Sequence, residues 1–105
     1  LVYVPYTTGT VVALQRNGGE RRWEFPRLGP PVEALTPLLY GPDLLLVPYA
    51  DGLIVALDRM TGTQRWNYQI AARLSADAVV HDGKLYAVTE DGELHALDPS
   101  EALTW

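Results

Sequence analysis

Apolar residues in this chain fall into short runs, each closed by turn residues. Three runs, at 11–14, 54–57 and 94–97, follow the turn pairs Thr8-Gly9, Asp51-Gly52 and Asp91-Gly92. In the middle run Ile54 and Ala56 point to one face and Val55 and Leu57 to the other. All four are apolar, so the pattern predicts a strand buried on both faces. Before each glycine turn lies another apolar run, at 1–6, 44–49 and 84–89. Two of the three copies carry a further run ahead of that, Leu38-Leu39-Tyr40 and Ala78-Val79-Val80. The expected strands are near 1–6, 10–16 and 21–26, then 37–41, 44–49, 53–59 and 64–70, then 77–81, 84–89, 93–98 and 102–105. No stretch holds a helical period; 33–35 and 71–74 make a turn at most.

These runs repeat as a unit. Gly9 to Trp23, Gly52 to Trp66 and Gly92 to Trp105 are imperfect copies, with glycines 43 and 40 residues apart and tryptophans 43 and 39. A fixed period of about 40 residues marks a repeat architecture. In each copy the glycine supplies positive φ for a tight turn. Four short antiparallel strands per unit, with both faces apolar, describe one blade of a β-propeller. The expected fold is therefore all-β: about three blades of four-stranded antiparallel sheet, the first lacking its innermost strand. The units divide as 1–27, then 28–70 with a proline-rich crossover, then 71–105. Rings usually need about 4–8 blades, so the chain reads as a segment of a larger propeller, or as one completed by other copies of itself. Pro5 and Pro48 share a repeat position inside apolar runs, where either the nitrogens face away from a partner strand or the strand bulges.

The middle copy, Ala56-x-Asp58-x-x-x-Gly62-x-x-x-Trp66, resembles the tryptophan-docking motif of PQQ-like propeller repeats. The first copy matches with Ala13, Gly19 and Trp23 but carries Gln15 for the aspartate. The third keeps Ala96, Asp98 and Trp105 and is one residue short. Such repeats occur in quinoprotein alcohol dehydrogenases and in non-catalytic, BamB-like relatives that serve outer-membrane barrel assembly. The resemblance implies that Trp23, Trp66 and Trp105 pack between blades, with the turn residues supporting them. On that basis Trp66 is expected among the most buried side chains.

Charge and composition narrow the partners. The net charge is −5, and Arg21-Arg22 is the sole basic pair among eight Lys and Arg residues, which argues against a nucleic-acid surface. No run of about 18 apolar residues could cross a membrane as a helix. The chain has no cysteine, which excludes disulfides and thiol chemistry within it.

Candidate chemistry is sparse. The tryptophans read as docking residues rather than ligand stackers, because they keep the repeat spacing. His95 aligns with Val12 and Val55 and reads as a packed, hydrogen-bonded core histidine. His81 lies in a turn, and the two histidines do not resemble a metal pair. The acidic turn Glu90-Asp91-Gly92-Glu93 lacks the alternating oxygens of a calcium loop. Asp58 and Asp98 are expected to brace the following turn by accepting backbone N–H bonds. No catalytic, cofactor-binding or metal residue can be assigned. A quinone cofactor with its calcium ion would need residues from blades outside this segment.

Two functions from different classes follow. One is a non-catalytic scaffold holding a protein partner on one rim, which the resemblance places in the periplasm, at the outer membrane or outside the cell. The other is a fragment of a quinone-dependent dehydrogenase, with a sensor or solute-binding propeller as a further reading. The rim expected to carry the partner gathers the turns 7–10, 50–53 and 90–93 with the crossovers 27–31 and 71–73, and has Tyr6, Tyr49, Asp51 and Asp91 as contact residues. Tyrosine is a favoured interface anchor.

Overall fold

The computed structural model describes residues 1–27 and 29–99, and in it each strand runs antiparallel to the strand it pairs with. The first sheet has β1 (Val2–Pro5), β2 (Val11–Leu14) and β3 (Arg21–Phe25). The second has β4 (Leu38–Tyr40), β5 (Leu44–Pro48), β6 (Leu53–Asp58) and β7 (Gln64–Gln69). The third has β8 (Val79–His81), β9 (Lys84–Val88) and β10 (Leu94–Leu97). The strand expected at 102–105, with Trp105, lies outside the described residues.

Within each sheet the strands follow chain order, as in the blades of a propeller. The first two blades share a local defect as well as a pattern. Ala13 pairs with Trp23 and Ala56 with Trp66, and the register shifts immediately after each alanine. Such a bulge bends the strand and re-aims the side chains beside it. An alanine opposite the tryptophan leaves room for the indole.

The prolines fit for a backbone reason. Tyr49 N–H donates to Leu53 and Tyr6 N–H to Thr10, so the next residue back, Pro48 or Pro5, directs its nitrogen to the opposite side. On that side of Pro48 only its carbonyl is used, accepting Leu35 N–H. β1 is the edge of its sheet, so Pro5 forgoes no ladder bond there.

Burial follows the period-2 alternation of the middle blade. Leu45, Val47, Val55 and Leu57 join Val11, Ala13 and Trp23 of the first sheet in one core. Leu46, Ile54 and Ala56 join Leu85, Ala87 and Leu97 of the third in another. Neighbouring residues of one strand therefore serve two different seams. This is why a solvent-facing alternation is absent from 54–57. The crossovers close the seams: Ala34 lies in the first core, and Ile70, Leu74 and Ala78 in the second.

Burial is uneven across the repeat positions, and two expectations need correction, those for Trp66 and His95. Trp66 is half-buried, whereas Trp23 is the buried one at 8% exposure. Trp23 is buried because it lies on the second blade's turn, against Gly62; the third-blade positions that repeat that turn reach outside the described residues. Ala96 is exposed although Ala13 and Ala56 are fully buried. It pairs with Tyr86 on the outward face of the third sheet, beside the exposed pair Leu94 and Val88. His95 is half-buried, while Val12 and Val55 at its repeat position are buried.

Candidate functional site

Among the described residues, polar side chains bridge the seam between the first two blades at its two ends. At one end the chain leaves β3 through Pro26 and presents Arg27 to the turn that follows β5. The guanidinium makes a two-pronged bond to Asp51, at 3.1 Å and 2.5 Å, and lies 4.6 Å from the centre of the Tyr49 ring. Tyr49 is fully buried, and its hydroxyl donates to the Gly9 carbonyl of the first blade at 2.7 Å. A planar fork suits both the carboxylate and the aromatic face, which a lysine would not. Electrostatics follow from this packing. Burial pushes the Tyr49 phenol up to about 12. The bond from Arg27 holds the Asp51 carboxyl below its ordinary value, and the Arg27 pKa is raised in return by the same bond.

At the other end Trp23 crosses onto the second blade's β6–β7 turn. Its indole N–H donates to the Arg59 carbonyl at 3.0 Å, and the Tyr3 hydroxyl reaches the same oxygen at 3.4 Å. The Tyr3 and Trp23 rings sit 6.0 Å apart, tilted by 38°. Gly62 lies beneath the indole with φ +76°, and a Cβ there would fall 2.6 Å from the ring. Only glycine satisfies both that conformation and that approach. Asp58 shapes the turn by accepting the N–H groups of Met60 and Thr61, at 2.9 Å and 3.2 Å, and pairs with Arg65 at 3.2 Å. The Met60 N–H bond is the main cause that lowers the Asp58 pKa.

The remaining residues singled out in the sequence scatter. Gly19 lies in the equivalent turn of the first blade, with open space above it. Asp98 follows β10. Asp91 accepts the Thr89 hydroxyl, which holds its pKa down, and lies exposed on the third blade. Tyr6 is 44% exposed. Tyr49 must be withdrawn as a partner contact, while Asp51 stays partly exposed. Tyr49 has no accessible surface, and Asp51 is engaged by Arg27. Sequence reasoning placed Arg27 only at the start of a crossover on this rim and gave it no role of its own. Its only local sign was a charge following Pro26 at a position filled by Ile70 in the next blade.

Between the outer strands of these two blades lies a groove of about 430 Å³, lined by Phe25, Pro26, Arg27, Tyr49, Leu53, Val55, Gln64 and Asn67. Its floor is apolar and its wall on β7 carries two carboxamides. Among the described residues no three His, Cys, Asp or Glu side chains converge as metal ligands. The innermost strands β4 and β8 expose Leu39 and Val79 and bear neither carboxylate nor tryptophan, so they do not fit a quinone and its calcium ion. No helix in the described residues is long and apolar enough to cross a membrane.

Antiparallel sheets in chain order, shared two-sided cores and tryptophan-on-glycine docking define a PQQ-like β-propeller, seen here as a run of blades. The chain belongs to the family described as outer membrane protein assembly factor BamB, whose model matches residues 6–105. The crystal structure of BamB from Moraxella catarrhalis superposes with a TM-score of 0.75 at 28% identity, over 88% of this chain. The chain spans 27% of that structure. No curated protein matches the chain.

Proposed function

We propose that the chain is part of a non-catalytic propeller scaffold that holds a protein partner on the rim formed by the turns 7–10, 50–53 and 90–93, in a cell-envelope or extracellular setting. The observation that carries this reading is the seam. Arg27, Tyr49 and Asp51 spend their binding groups on fixing the first two of those turns against each other. The rim is thereby a rigid platform, and loops on rigid scaffolds are where binding concentrates. Tyr6 of the first blade and Glu90, Asp91 and Glu93 of the third remain exposed on it. Those carboxylates favour a partner with basic residues. The matched family's description as an assembly factor supports both the protein-binding role and the envelope setting.

The test is capture of envelope proteins on the immobilised chain, with the bound protein identified and its affinity then measured. Tyr6→Ala combined with Glu93→Lys is expected to weaken binding about tenfold or more, in the range of an interface anchor. Met60→Ser, on the opposite rim, should leave it unchanged. Binding that survives the first variant and is lost with the second would place the partner on the other rim.

A further inference from the structure

The first blade's docking turn holds an Asn-Gly pair that the scaffold reading does not use. Asn17 is exposed, in the turn at 16–19 that joins β2 to β3. Gly18 follows with φ +88°, and nothing lies within 4 Å of where its Cβ would be. The backbone bonds of this turn run from Gln15 N–H to Glu20 and from Gly19 N–H to Gln15, leaving the Gly18 amide out of both. A glycine nitrogen that carries no side-chain hindrance, is free of a backbone partner and is open to water can lose its proton and approach the preceding side chain.

We propose that Asn17 is a site of spontaneous deamidation in the folded protein. The Gly18 nitrogen attacks the Asn17 Cγ. A new N–Cγ bond closes a five-membered succinimide, the Cγ–Nδ2 bond breaks, and ammonia leaves with the proton. Water then adds to either carbonyl of the ring. Opening on one side gives aspartate, and opening on the other gives isoaspartate, with the main chain rerouted through the former side chain. Net consumption is one water and net release one ammonia, with no redox partner. The product adds a negative charge beside Arg16 and, in the isoaspartate form, lengthens the turn backbone by one methylene. That turn is the first-blade counterpart of the one on which Trp23 rests, though no described residue packs on it here.

The chain supplies its own control. Asn67, its other asparagine, sits within β7 paired with Val55 and is followed by the bulky Tyr68. The ladder holds its backbone extended, and reaction there waits on local opening of the strand.

The experiment is incubation of the folded chain at mildly alkaline pH, followed by peptide mapping and labelling with an isoaspartyl methyltransferase. The Asn17 peptide is expected to gain the mass of an amide turned to an acid and to split into aspartate and isoaspartate forms. Its rate should exceed that of Asn67 by at least an order of magnitude, a gap set by the ordered strand. Asn17→Gln should abolish the gain at that peptide. A parallel incubation in denaturant gives the rate without the fold. Conversion of Asn17 that is fast in denaturant but negligible in the folded chain would overturn the proposal, as would equal rates at the two asparagines.

Discussion

Tyr49 shows most clearly how neighbours, rather than local sequence, decide what a side chain does. Tyr6 and Tyr49 occupy one repeat position, yet one is 44% exposed and the other fully buried. The first blade packs in front of Tyr49, and no described residue does the same for Tyr6. Removing the hydroxyl with Tyr49→Phe leaves the buried Gly9 carbonyl unpaired and should cost about 1–3 kcal/mol in chemical denaturation. The same variant has a pH signature. The folded phenol holds its proton up to about 12, while an unfolded one releases it near 10. Between those values the unfolded state has shed a proton that the folded state keeps, so stability falls as pH rises through the window. Tyr49→Phe should flatten that fall. Asp51 works at the other end of the scale. Its lowered pKa gives stability that is present above the ordinary value near 3.9 and is lost as pH falls through the folded value. Asp51→Asn should therefore weaken the chain at neutral pH and make its acid limb shallower. Repeat alignment could find Tyr49. It could not find Arg27, because the pairing with Asp51 spans 24 residues and two blades.

At the scale of elements, β6 is where the sequence is most legible. Four apolar residues in a row predicted a strand without a wet face, and the structure divides them between two cores. Ile54→Ala and Leu57→Ala should each cost about 2–5 kcal/mol by leaving a cavity, the first toward the third blade and the second toward the first. Hydrogen exchange would show β5 and β6 as the most protected strands, since both are paired on each side and buried. Uniform protection across all ten described strands would contradict this. The strands themselves were readable because turn glycines and period-2 runs are local. The order of burial among the tryptophans was not. Trp23 and Trp66 sit at one repeat position, and what covers Trp23 is a turn about 40 residues further on, at Gly62.

The molecule as a whole is held by its seams. Blades one and two are fastened at both ends, by Tyr49, Arg27 and Asp51 at one and by Trp23 on Gly62 at the other. Blades two and three are joined by their apolar core and by Tyr40 donating to the Gly83 carbonyl at 2.9 Å. The repeat period announced the blades, but it carried no information on which seam bears the polar fastenings. The most direct measurement compares the thermal stability of Gly62→Ala and Gly19→Ala. The two glycines have nearly the same backbone conformation, φ +76° and +71°, so both substitutions carry the same left-handed cost of roughly 1–2 kcal/mol. They differ in one respect: a Cβ at Gly62 meets the Trp23 indole, and a Cβ at Gly19 meets nothing. Gly62→Ala should lower the melting temperature well beyond Gly19→Ala, and the excess should disappear when Trp23 is replaced by a smaller residue. Equal losses for the two substitutions would contradict this.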